Sequence, residues 1–341
     1  EAQIRSLAVS LGISVNVESK KSEDSPAALA IAAAGTASGN VIISDVRASL
    51  RGSQTWSSSD VFVSADDKAL IEAISVGASV GVSGGGGDAT GLGFSASIGV
   101  NVITTDTEAL IVGSTVTADG TVDFSAESDA QITALTLGFS AGGAGGGGKA
   151  ITVAGAGSGS VNIITSSVEA RVEADLVPVI DGLTELMARP SVITAIGNVQ
   201  VRAKDDSNIV ANAGGGAVAI GGGGGDATAG ALGAAVGVNI ILNTVVATVE
   251  GSSITANHAG TAAGEVIVMA ESDADIVSTS VGLSGGGAGA GGSGLSLTGA
   301  ASGSGNDITS TIEASVKSVV FEEEGQIIEA MTSVSADGSV S

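Results

Sequence analysis

The chain has no cysteine, no tyrosine, one tryptophan, three prolines and a single histidine in 341 residues. Without cysteine no disulfide can staple the fold, a habit common among large exported bacterial proteins. Aromatics are 2% of the residues, so the aromatic girdles of a transmembrane barrel are missing. No run of about 18 apolar residues is free of Gly or polar interruption, which excludes a spanning helix. Cations are scarce: 12 Lys and Arg stand against 36 Asp and Glu, a net charge of −24, and this argues against nucleic acid as a partner. Disorder needs low hydrophobicity, and 43% hydrophobic residues with a mean hydropathy of +0.46 point to a folded chain. An acidic surface keeps a repetitive β-protein soluble and resists lateral sticking. No signal peptide is visible and the sequence starts at Glu1, so it reads as a fragment or a processed product.

What is present is repetition. The motif G-x-N-x-I and its variants place Asn40, Asn101, Asn162, Asn239 and Asn306 at spacings of 61, 61, 77 and 67 residues. Eight residues after each comes an alanine: Ala48, Ala109, Ala170, Ala247 and Ala314. A second motif recurs as AESDAQI (126–132) and AESDADI (270–276), with weaker copies at 65–71 and 203–209. The approximate units are 5–71, 72–132, 133–209, 210–276 and an incomplete 277–341. The third carries an insertion at 176–198, where DGLTELMAR (181–189) has helical spacing and reads as a short surface helix.

Inside a unit the period is two, the mark of a β-strand. Ile74, Val76, Ala78, Val80 and Val82 fall on one face and Ser75, Gly77, Ser79, Gly81 and Ser83 on the other. After the Gly run at 84–87 a second strand alternates Leu92, Phe94, Ala96, Ile98 and Val100 with Gly93, Ser95, Ser97 and Gly99. Repeated Gly in strands costs roughly 0.5–1 kcal/mol each relative to Ala, so a compensating close approach of another sheet is expected on the small face. The large apolar face is expected to form the conventional core. The fold expected is all-β: an elongated repeat rod wound as a β-solenoid of about three coils of roughly 20 residues per unit, because units that cannot bury their faces alone must stack. Stacked Gly-rich hairpins in a sandwich-like fibre are the alternative.

Signals of chemistry dissolve into the repeat. GGGGDAT occurs at 84–90 and 222–228 and is similar to Ca²⁺-binding nonapeptides, which makes Asp88 and Asp226 the only metal candidates. Single copies lie far apart, however, and a plain Gly turn is the simpler reading. Gly148-Lys149 is followed by Ala150, so no phosphate loop is present. His258 sits in a TANHAG segment without catalytic company, and Glu127, Asp129, Glu271 and Asp273 recur with the repeat, as solvated outer faces do. Thr115, Thr117 and Thr133 do not recur at matching positions, which weakens an ice-binding reading. The Asn column is given a structural role, hydrogen-bonding neighbours or turn backbone. No catalytic or cofactor-binding residue is assigned.

IVGSTVTADGTVDFSAES (111–128), the related VEGSSITA and EVIVMAES segments, and the alternation of GVNVI with GGGG resemble the repeats of filamentous-haemagglutinin-like and leukotoxin-type filamentous adhesins of giant bacterial surface proteins. That resemblance implies secretion, an elongated β-helical shaft and a role in adhesion, biofilm or surface coats. The function expected is a structural component of an extracellular or cell-surface fibre, self-assembling end to end; the alternative is the shaft of a secreted adhesin. The expected partners are copies of itself or further repeats of the same chain, with a surface or matrix ligand in the adhesin case. No enzyme activity is expected.

Overall fold

The computed structural model describes all residues except 19–26, 179–185, 258–263, 324–325, 337–338 and 341, and the side chains of 322–327. The protein is all-β, with parallel strands stacked in sheets, consistent with a β-solenoid. The first circuit is β1 (Ala2–Val17), β2 (Ala28–Arg51) and β3 (Gln54–Ser57). The second is β4 (Val61–Gly85), β5 (Ala89–Val112) and β6 (Thr115–Ala118). The third is β7 (Val122–Gly146), β8 (Ala150–Glu173), a hairpin of β9 (Asp175–Pro178) and β10 (Leu186–Arg189), and β11 (Val192–Ala195). In the fourth the first strand is broken into β12 (Val199–Asp205) and β13 (Asn208–Gly223), followed by β14 (Ala227–Glu250) and β15 (Ser253–Ala256). The fifth has β16 (Val266–Ser272), β17 (Asp275–Ala290), β18 (Gly294–Lys317), a hairpin of β19 (Val319–Glu323) and β20 (Gln326–Ala330), and β21 (Ser333–Ala336).

Each repeat is therefore one wide circuit, not three short coils. Every circuit adds one strand, whole or broken in two, to each of three parallel sheets: a long first sheet (β1, β4, β7, β12/β13, β16/β17), a long second sheet (β2, β5, β8, β14, β18) and a narrow third one (β3, β6, β11, β15, β21). Strands of 24 residues span about 80 Å, whereas five circuits stack to about 24 Å, so this stretch is broader along its strands than along its stacking axis. The corner into the third sheet is made by glycines that repeat with left-handed φ, Gly52 (54°), Gly113 (52°) and Gly251 (56°), where an L-residue would be strained. Both inserted hairpins leave the stack just after this corner. The expected helix at 181–189 is corrected in part: its described end, Leu186–Arg189, pairs antiparallel with Asp175–Pro178 and is tied by the Arg189–Asp175 ion pair at 2.8 Å. The remainder of that segment lies outside the described residues.

The interior divides into two regions. At the base, where the three sheets meet, Ile111, Val116, Val122, Phe124, Ile193 and Ile254 are fully buried in one aliphatic cluster. Above it runs a ladder of Ile71, Ile132 and Ile209 facing Ile42, Ile103, Ile164 and Ile241. Beyond these, towards the Gly turns, the two long sheets form a thin blade. The close approach expected on the small face is present, but the large apolar face expected to form the core is turned outward. Ser75, Gly77, Ser79, Gly81 and Ser83 point inward, and Ile74 and Val82 lie outside with Phe94, Ile98 and Val100. Close approach is the reason. Gly77, Gly138, Gly215 and Gly282 form one in-register column, and a Cβ on any of them would press on the backbone oxygen of Ala96, Gly157, Ala234 or Ala301 in the facing sheet. Backbone meets backbone, so the space between the sheets holds small residues, Gly, Ala, Ser and a few Thr, and the large side chains are left outside.

Candidate functional site

The Asn column lies on the inner face of the second sheet, in exact register across β2, β5, β8, β14 and β18. Because each repeat is one circuit, the side chains stack directly. Asn40 Nδ2 donates to Asn101 Oδ1 at 2.8 Å, Asn101 to Asn162 at 2.7 Å, Asn162 to Asn239 at 2.8 Å, and Asn239 to Asn306 at 2.8 Å. Asn101, Asn162 and Asn239 are fully buried, while Asn306, on the outermost circuit, is exposed. Such a ladder satisfies each buried amide with its own kind and polarises along its length. It also has a direction, every donor pointing to the next circuit. The Ala column is likewise in register: Ala109, Ala170 and Ala247 are fully buried at the base, Ala48 packs against them, and Ala314 is exposed on β18.

Asp88 and Asp226 cap the Gly turns. Asp88 Oδ1 accepts from the backbone N–H of Lys149 at 2.8 Å, and Asp226 Oδ1 from that of Ser293 at 3.0 Å, each reaching the turn of the following circuit. Asp60 does the same at the base, accepting from Thr121 N–H at 2.7 Å. The register places Lys149 between Asp88 and Asp226, so the two carboxylates do not converge. Among the described residues no three His, Cys, Asp or Glu side chains gather as a metal site would need. His258 lies outside the described residues.

Sequence reasoning missed a polar layer between the base and the Ile ladder. Asp67, Ser128, Asp205 and Ser272 share a column on the inner face of the first sheet. Asp205 is fully buried and accepts from Asn243 Nδ2 and from Ser207 Oγ (3.1 Å). Burial pushes its carboxyl above the usual range, and the hydrogen bonds of Ser166 and Ser207 oppose that shift. Glu173, at the corner, is raised for the same first reason, with Arg171 lowering it and Glu250 raising it again. The signal for the inner column was in the second motif, read there only as recurrence. Thr117, Thr194 and Thr255 also prove to be in register on the narrow sheet, across the insertion that hid their spacing.

On the outside, charge is segregated. Between residues 73 and 105 the only charged residue is Asp88, between 133 and 165 only Lys149, and between 209 and 244 only Asp226. Apart from Lys149 at a Gly turn, the described cations sit towards the base end of the strands, several beside carboxylates, as Arg5 with Glu72 (2.8 Å), Arg47 with Glu108 (2.6 Å) and Lys317 with Glu250 (2.9 Å). No helix among the described residues is long and apolar enough to cross a membrane. Comparisons with family models, with curated proteins and with solved structures return no match.

Proposed function

We propose that this chain is a shaft segment of an extracellular, bacterial cell-surface fibre, built as a wide-circuit β-solenoid that lengthens by adding circuits end to end. The observation that carries the proposal is the in-register stack with its directional Asn ladder. Asn306 accepts from Asn239, and its own amide N–H group is the natural donor to the Asn40 carbonyl of a following copy, or to the matching Asn of a further repeat. The outermost strands add open edges of 16 to 24 residues, templates for further parallel pairing. The work is mechanical and no residue is assigned a chemical step. The adhesin-shaft reading shares this architecture and adds a binding head elsewhere; the resemblance to filamentous adhesin repeats supports it.

Negative-stain microscopy of the purified chain tests the proposal. Filaments growing along the stacking axis are expected, and Asn306→Asp should shorten them, since a carboxylate still accepts from Asn239 but has no proton to donate onward. Discrete single particles at all concentrations, unchanged by Asn306→Asp, would refute end-to-end growth.

A further inference from the structure

The blade exposes apolar side chains on both of its broad faces. On the second sheet Phe94 is 45% and Leu232 63% exposed; on the first, Phe139 is 47% and Leu283 63%. Folding has not buried these side chains, and contiguous patches of this size mark interaction surfaces. We propose that the two faces of the blade are docking surfaces for a second copy of this chain, which pairs with it side to side.

Three observations select a second copy as the occupant. The first is area. Five strands and about 15 residues of uncharged strand give a face of about 24 by 50 Å, or about 1,200 Å², which exceeds the roughly 800 Å² per partner of a stable standard interface.

The second is relief. Large side chains alternate with glycine from circuit to circuit: Phe94, Gly155, Leu232 and Gly299 share one column. Phe139, Gly216 and Leu283 share another on the opposite face. The glycines leave holes beside the knobs. One groove of about 520 Å³ runs past Phe139, Gly216 and Leu283, and one of about 440 Å³ past Gly155, Leu232 and Gly299. A face carrying both knobs and holes is complementary to a copy of itself, as an isologous pair requires.

The third is charge. Two chains of net charge −24 repel, yet these faces carry none of that charge. Copies arranged with their bases at opposite ends would bring neutral blade against neutral blade and keep the carboxylates apart. Lipid suits the surface less well, since the outermost strands present unpaired backbone groups that hydrocarbon cannot satisfy.

The pairing is distinct from end-to-end growth and does not depend on the fibre reading. Sedimentation velocity on the whole chain tests it, with Asn306→Asp as a background in which end growth is weakened. Dimers or larger assemblies are expected, and raising salt from about 0.05 to about 0.5 M should strengthen them by screening the bases. Phe94→Lys with Leu232→Lys on one face, and Phe139→Lys with Leu283→Lys on the other, should each weaken pairing through that face at least tenfold. The Phe94→Ala, Leu232→Ala pair checks that loss of the knob suffices, and an unchanged melting curve on dilution shows that the fold survives. A chain that stays monomeric at about 100 µM would overturn the proposal, because interfaces of this area reach micromolar affinity or better. So would lysine variants that pair as the parent does. Monomers that float with uncharged phosphatidylcholine vesicles, and no longer do so with lysine on the faces, would overturn it in favour of lipid. Filaments without side-to-side pairs would sink this inference and leave the fibre reading standing; pairs without filaments would do the reverse.

Discussion

At the base of each circuit, Ile111, Val116 and Phe124 fill a three-sided interior, and Glu, Asp and the few cations cover the outside. In the blade the order is inverted, with Gly, Ala, Ser and a few Thr inside and Leu, Ile, Val and Phe outside. The same alternation of period two runs through both regions along one unbroken strand, β5 for example. What changes is the distance between the facing sheets. At the base the narrow third sheet props the long ones apart, so large side chains are needed to fill the space. In the blade nothing props them, and they close until glycine is the only residue that fits opposite a carbonyl. The blade is also the less well satisfied interior: the buried hydroxyls of Ser83, Ser95, Thr136, Ser158 and Ser160 have no hydrogen-bond partner.

The contrast can be broken most sharply with phenylalanine. Phe124→Ala, at the base, should cost about 3–5 kcal/mol by denaturant melting. Phe94→Ala, on the outer face of the blade, should lie within about 0.5 kcal/mol of the parent at concentrations that keep copies apart. Equal losses at the two sites would mean that the blade's outer face is a core after all.

The Asn ladder joins the two regions and comes next in size. Asn162→Leu strips Asn101 of its acceptor and Asn239 of its donor, at about 1–3 kcal/mol for each buried group left unpaired. The same change at the exposed Asn306 leaves only the Asn239 amide N–H without its partner and should cost about half as much, so a thermal melt of both variants separates ladder interior from ladder end.

Glycine sharpens the inside-outside distinction within the blade. Gly215→Ala drives a methyl into the Ala234 backbone and should destabilise by about 1–3 kcal/mol. At Gly157 a Cβ meets nothing within 4 Å, so Gly157→Ala should gain about 0.5–1 kcal/mol from strand entropy. Opposite signs are expected for one substitution type in one sheet sandwich.

Asp205 gives a smaller, pH-dependent effect. Burial raises its folded-state pKa, so the ionised form costs stability above that pKa, and the cost is relieved as pH falls through it towards the unfolded value. Asp205→Asn removes the titration. The parent should therefore gain stability relative to the variant as pH falls towards the ordinary carboxylate range, and a difference that does not move with pH would show that Asp205 is not held above its ordinary range. Smallest of all, a chelator should leave the melting temperature unchanged, given that Asp88 and Asp226 each serve a backbone N–H and stand apart.

Much of the architecture was legible in the residues. The alternation of Ile74 with Ser75 and of Phe94 with Ser95 announced long strands, and the Asn and Ala columns placed the circuits in the register that the sheets adopt. The insertion read at 176–198 is narrower in the structure, since Val192–Ala195 belongs to the narrow sheet, and helical spacing in so short a segment did not outweigh pairing of Leu186–Arg189 with Asp175–Pro178. The Gly column at 77, 138, 215 and 282 was hidden among many other glycines. Only the identity of what faces it, the carbonyls of the opposite sheet, sets it apart from outward glycines such as Gly157.

The sequence by itself determined the period along each strand, the register between circuits and the segregation of charge, because these are properties of order along the chain. Tertiary structure alone decided which face is inside, how many circuits a repeat makes and that Asn meets Asn. A pattern of period two defines two faces without ranking them. In the blade neither face is charged, so hydrophobicity did not choose between them; the sheets approached on the side where the side chains were small enough to let backbone touch backbone, and that closeness turned the larger side chains out to the surface.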